Sequence, residues 1–148
     1  DLITAADIRL ASSDAIFSVR EVKMAIVADL GTLQRLPRIV GEGNARELCL
    51  TGRDFGADHA ERIGLITQIH ADREAVLSAA DALAVEIAAN PPLAVQGTKR
   101  VMNESHRLET DRTLEYVATY NAAHLITQDL GVAVTAFVSK QTPEYSGR

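Results

Sequence analysis

The chain has 148 residues, 47% of them apolar, with one cysteine, no tryptophan and a formal net charge of −5. That size fits one compact domain or part of a larger one, and an apolar content dominated by Ala, Val, Leu and Ile favours closely packed helices over an aromatic-rich β domain. Scattered basic residues exclude a footprint for duplex nucleic acid, the solitary Cys49 excludes intrachain disulfides and cysteine-only metal sites, and no stretch approaches the roughly 20 apolar residues of a membrane span.

In chain order, Ile8, Leu10, Ile16, Phe17 and Val19 form β-prone runs on either side of Ser12-Ser13-Asp14, which has turn chemistry and predicts two short strands. A helix is expected over 32–39, with Gly31 and Gly41 marking its ends. Pro37 belongs near a helix start or at a distortion, because it cannot donate an interior hydrogen bond. Short helices follow over 44–50 and 57–62, separated by Thr51-Gly52-Arg53 and closed by Gly64. Residues 65–70 then predict a strand. Asp72 can cap the next helix, whose apolar positions 76, 80, 83, 84 and 87 keep the i, i+3, i+4 spacing until Asn90-Pro91-Pro92 ends it. Helical patterns run through 94–106, 110–125 and 128–139, with Thr127 a cap and Leu130, Val134, Phe137 and Val138 on one face of the last.

Chemistry is sparse on local pattern. His59, His70, His106 and His124 contain no i, i+4 pair for zinc, so no metal is expected. Gly41-Glu42-Gly43 is a helix-ending turn rather than a phosphate loop, and Leu48 and Leu50 flanking Cys49 suggest a buried thiol. Arg35, Arg38, Lys99 and Arg100 are expected to be solvated surface charges. Glu21 and Asp29, separated mostly by Met24-Ala25-Ile26-Val27-Ala28, admit two readings. Burial and a like-charged neighbour raise a carboxyl pKa in general, so such a pair can share acid and base work. Equally, Glu21 can pair with Arg20 or Lys23 at the surface while Asp29 caps the helix beginning near Thr32. Asp1 ahead of Leu-Ile-Thr-Ala-Ala can simply favour a helix amino terminus.

The order of motifs resembles the crotonase, or enoyl-CoA hydratase/isomerase, superfamily over nearly the whole chain. Asp1-Leu2 and Ala6-Asp7-Ile8-Arg9 resemble the segment just after the family's glycine-rich oxyanion-hole turn, and Ala15-Ile16-Phe17 leads from there to Glu21. Gly31-Thr32-Leu33-Gln34-Arg35-Leu36-Pro37-Arg38-Ile39-Val40-Gly41 is similar to the family's next helix, and Leu50-Thr51-Gly52, Ala57, Ala60 and Gly64-Leu65-Ile66 continue the pattern. Ordinary hydratases usually carry Glu at the positions of Asp1 and Glu21 and a small residue at that of Asp29. Three acidic residues here resemble the dienoyl-CoA isomerase branch of the family.

That resemblance implies an α/β chain, the carboxyl-terminal part of a crotonase-like ββα superhelix, helix-rich, with core residues 1–70 and a helical trimerisation region over 71–148. It implies a fatty acyl-CoA substrate and no cofactor, with catalytic residues Asp29 as base, Glu21 as acid and Asp1 orienting the pair. The expected partners are copies of the chain, as a homotrimer or dimer of trimers, together with an amino-terminal portion that supplies the oxyanion-hole turn. On this view the sequence is a fragment and cannot turn over by itself. The nearest alternatives are an enoyl-CoA hydratase, a mono-enoyl-CoA isomerase and a catalytically silent oligomerisation module. A solitary Cys and no visible signal favour a reducing interior, by default the cytoplasm.

Overall fold

The structure, a computed structural model, describes residues 1–24, 28, 30–105, 119, 122–123 and 126–148, without the side chains of Met24 and Phe137. Residues 1–81 and 82–148 form two compact units.

In the first unit, a 3-10 turn over Leu2–Ala5 precedes strands β1 (Leu10–Ser12) and β2 (Ile16–Phe17), on either side of the expected turn. The two strands do not pair with each other. Strand β1 lies parallel to β4 (Gln68–His70), with Ala11 opposite Ile69, and β2 lies antiparallel to β3 (Phe55–Gly56), with Phe17 opposite Phe55. A parallel pair cannot be closed by a tight turn, so the chain between β1 and β4 must cross over. Helices α1 (Thr32–Val40), α2 (Glu42–Thr51) and α3 (Ala57–Arg62) lie on that crossover.

Helix α1 begins after Gly31 and ends at Gly41 as the sequence predicts, but Gly41 also starts α2, so Gly41-Glu42-Gly43 is a junction between helices. Pro37 sits in the second half of α1 rather than near its start, and the helix still runs on to Val40, with the Gly41 N–H bonding the Pro37 carbonyl at 2.9 Å. Leu36 and Val40 from α1, Ala45 from α2, and Ala57 and Ala60 from α3 build the core with Ala11, Leu65 and Ile66. Alanine at the helix contacts lets backbones approach closely while adding no side-chain entropy cost. The strand expected over 65–70 is shorter: Leu65 and Ile66 are core plugs in a loop whose N–H groups bond the Ala60 carbonyl, and only 68–70 pair as a strand.

Helix α4 (Arg73–Ala88) is capped as expected, the Asp72 carboxylate accepting the Ala75 N–H at 2.8 Å. Its apolar stripe is half covered at Val76, Ala80 and Leu83 and exposed at Ala84 and Ile87, and none of its residues is fully buried. In the second unit, α5 (Pro92–Ser105) opens on a proline, which lacks the donor that a first helical residue leaves unused. The helix expected over 110–125 falls almost entirely outside the described residues. Helix α6 (Gln128–Ser139) is capped by Thr127, whose hydroxyl accepts the Leu130 N–H at 3.2 Å. Leu130, Val134 and Val138 form an exposed apolar line along it. No helix among the described residues is long and apolar enough to cross a membrane.

Candidate active site

The amino terminus of α1 is built from residues distant in sequence. Gly31 precedes the helix with φ 100° and has no side chain to cap it, so the exposed N–H groups of the first turn need another acceptor. Asp1 supplies it. One carboxylate oxygen accepts the Thr32 N–H at 2.9 Å and also the Thr32 hydroxyl, and Thr32 is almost fully buried. A negative group here also answers the positive end of the helix dipole.

Arg35 ties the same corner together. Its Nε donates to the Thr4 hydroxyl at 3.0 Å, one terminal nitrogen donates to the Leu30 carbonyl at 2.8 Å and the Asp1 carbonyl at 3.3 Å, and the Thr4 hydroxyl donates to the Asp1 carbonyl at 2.7 Å. Arg35 is therefore a structural tie and not the solvated charge its sequence neighbourhood predicts. Only its carbonyl and hydroxyl partners, brought together by folding, reveal that role.

A cavity of about 380 Å³ opens beside this corner in the first unit. Its wall includes Asp1, Thr32 and the apolar side chains of Phe17, Leu36 and Leu48. Asp1 thus lines the cavity, whereas Glu21 does not.

Glu21 lies half-buried at the start of a 3-10 turn, Glu21–Met24. Burial, and then the charge of Glu21, push the Cys49 thiol up, which keeps it protonated and a poor nucleophile. Cys49 is half-buried, not fully enclosed, because neighbouring residues on a helix point about 100° apart. Of the two surface partners the sequence offers Glu21, Arg20 is engaged elsewhere, placing one guanidinium nitrogen 2.5 Å from both carboxylate oxygens of Asp54. Asp29 lies outside the described residues. Accordingly, Asp1 is placed at the cavity and Glu21 beside Cys49, while the Glu21–Asp29 pair stays an expectation of the sequence. Among the described residues no group of three or more His, Cys, Asp or Glu side chains is arranged to hold a metal. His106 and His124 are outside them.

In the second unit, Asp129 is a buried carboxylate that sequence pattern did not single out. Its oxygens accept the Ser146 N–H at 2.8 Å, the Gly147 N–H at 2.8 Å and the Ser146 hydroxyl at 3.2 Å, which fastens the end of the chain to the first turn of α6. The Ser146 N–H bond, more than desolvation opposes it, holds this carboxyl below the ordinary Asp range. A folded-state pKa that is depressed gives a contribution present above the unfolded value of about 3.9 and lost as pH falls through the folded value. Amide exchange at Ser146 and Gly147 is therefore expected to be slow at pH 6 and to quicken, relative to intrinsic rates, below about pH 4. Asp129→Asn should show the fast exchange already at pH 6, and equal protection in both proteins would refute the latch.

The chain matches the enoyl-CoA hydratase/isomerase family model over residues 1–148 and belongs to that family. It is 50% identical over 143 residues to a mitochondrial Delta(3,5)-Delta(2,4)-dienoyl-CoA isomerase of Dictyostelium discoideum, covering 97% of this chain and 49% of that protein. It is 47% identical over 146 residues to a peroxisomal protein of the same name from Arabidopsis thaliana, covering 99% and 52%. A crystal structure of enoyl-CoA hydratase from Mycobacterium tuberculosis superposes with a TM-score of 0.94 at 35% identity, covering 99% of this chain and 58% of that one. The α/β, helix-rich crotonase fold expected from the sequence is thus the observed one. The chain spans about half the length of the curated relatives it matches. The cytoplasmic expectation is overturned, since these relatives are named as mitochondrial and peroxisomal proteins. Its physical basis was too coarse: cysteine usage separates oxidising from reducing compartments and does not distinguish one reducing compartment from another.

Proposed function

We propose that the whole protein carrying this chain shifts the double bonds of a 3,5-dienoyl-CoA to the 2,4 positions. The observation that carries this reading is the acidic triplet Asp1, Glu21 and Asp29 in a chain about half identical to proteins named for that reaction. Moving double bonds from C3–C4 and C5–C6 to C2–C3 and C4–C5 removes one proton at C2 and adds one at C6. Atoms and electrons balance within the substrate, so the reaction calls for no redox cofactor.

The thioester acidifies C2, and backbone N–H groups aimed at the developing enolate oxygen lower the barrier. Asp29 takes the C2 proton, Glu21 delivers one at C6, and Asp1, anchored on Thr32 in the cavity wall, orients the pair. The exposed apolar line on α6 suits the homotrimer or dimer of trimers that the family resemblance implies.

Enoyl-CoA hydration is the second reading, supported by the superposition on a hydratase. The test is a spectrophotometric assay of the whole protein with a 3,5-dienoyl-CoA, following the conjugated 2,4-dienoyl product, with a 2-enoyl-CoA hydration assay beside it. Conjugated product without hydration is the expected result. Hydration alone would make Asp29 incidental, and neither activity would leave a silent oligomerisation module.

A further inference from the structure

Glu21 is carried on a turn that is tied to one short stretch of chain, Gly52 to Gly56. Strand β2 just before it pairs with β3, and the Phe17 and Phe55 rings stack with centroids 5.6 Å apart. The Ser18 hydroxyl donates to the Gly52 carbonyl at 3.0 Å. Arg20, the immediate neighbour of Glu21, holds both carboxylate oxygens of Asp54 at 2.5 Å. Gly52 ends α2 in the left-handed conformation, φ 56° and ψ 24°, and a Cβ there would lie 2.9 Å from Val22 Cγ1, 3.1 Å from Lys23 Cγ and 3.1 Å from the Val19 carbonyl oxygen. Only glycine combines that backbone conformation with so close an approach.

We propose that Gly52 and the Arg20–Asp54 ion pair are positioning residues that fix the direction of the Glu21 carboxylate. The inference rests on the role assigned above to Glu21. The ion pair is open to water, with side chains 59% and 47% exposed, so it adds little to global stability. Its geometry has a local effect nonetheless. Successive side chains leave the backbone in different directions, so holding Arg20 outward on Asp54 turns Glu21 to another side, where Cys49 feels its charge. A displacement of about 1 Å in such a group can cost on the order of a hundredfold in rate.

The experiment compares Arg20→Ala, Asp54→Asn, the charge-reversed double variant Arg20→Asp/Asp54→Arg, Gly52→Ala and Glu21→Gln in the whole protein. Each single ion-pair variant is expected to lose about tenfold in kcat with KM within about twofold, since positioning acts on the transition state more than on binding. Melting temperature should stay within about 2 °C for both, as for other exposed pairs. The double variant should recover most of kcat, which a merely structural role would not produce. Gly52→Ala should lose kcat as well, and if it fails to fold the ion-pair variants decide. Wild-type kcat in both ion-pair variants, or a double variant no better than the singles, overturns the inference. Loss of turnover in Glu21→Gln with unaffected ion-pair variants would overturn the positioning alone, and full turnover in Glu21→Gln would overturn it together with the role of Glu21.

Discussion

Replacing Asp29 by Asn in the whole protein is expected to lower turnover of a 3,5-dienoyl-CoA by about two to four orders of magnitude, the usual contribution of a positioned general base. Asparagine keeps the size and hydrogen-bonding reach of the side chain but cannot accept the C2 proton at neutral pH. Substrate binding and enolate stabilisation remain, so some rate above the uncatalysed reaction should persist. Glu21→Gln should lose a comparable factor. Because the two carboxyls act as a unit, the double variant should lose far less than the product of the single losses. Two readouts separate chemistry from binding: the rise of conjugated 2,4-dienoyl absorbance, and release of deuterium to solvent from a substrate labelled at C2. Loss of both in Asp29→Asn supports the base, and full retention of both would place the base elsewhere.

The second large effect is on stability, and it is expected from two leucines on one helix. Leu48 is 1% exposed and Leu50 is 74% exposed, although both lie on α2 two residues apart. Leu48→Ala is expected to cost about 2–5 kcal/mol, because truncation removes buried methyl groups and leaves space that the surroundings fill only in part. Leu48 already borders a cavity, which favours the lower half of that range. Even so, it is a sizeable part of the roughly 5–15 kcal/mol that holds most domains folded. Leu50→Ala should stay within about 0.5 kcal/mol. Chemical denaturation of the two variants beside the parent checks this, and equal midpoints for both would contradict the placement of Leu48 in the core.

Much of the local structure was legible in advance, for identifiable reasons. Caps are short-range chemistry, so Asp72 and Thr127 could be read directly, and both accept the expected N–H groups. The glycines at 31 and 41 bound α1 because they interrupt a helix wherever the rest of the chain lies. Strand β3 was missed, since two residues carry no alternation to read and exist as a strand only through pairing with β2. Cys49 was misplaced for the opposite reason: apolar neighbours at 48 and 50 look like burial in sequence, but helical geometry turns Leu50 to solvent.

The sequence by itself determined the family, because an ordered set of motifs survives without any knowledge of contacts, and it named Asp1, Glu21 and Asp29 as the residues to test. Only the tertiary structure decided what surrounds two of them. Asp1 meets Thr32 across 31 residues, Arg35 reaches the Thr4 hydroxyl across 31 residues and the Asp1 carbonyl across 34, and Asp54 meets Arg20 across 34 residues. Each is a contact between segments joined by a long loop of chain. Closing such loops costs entropy that burial of the shared core must offset, so these contacts are properties of the whole fold and not of any stretch of sequence.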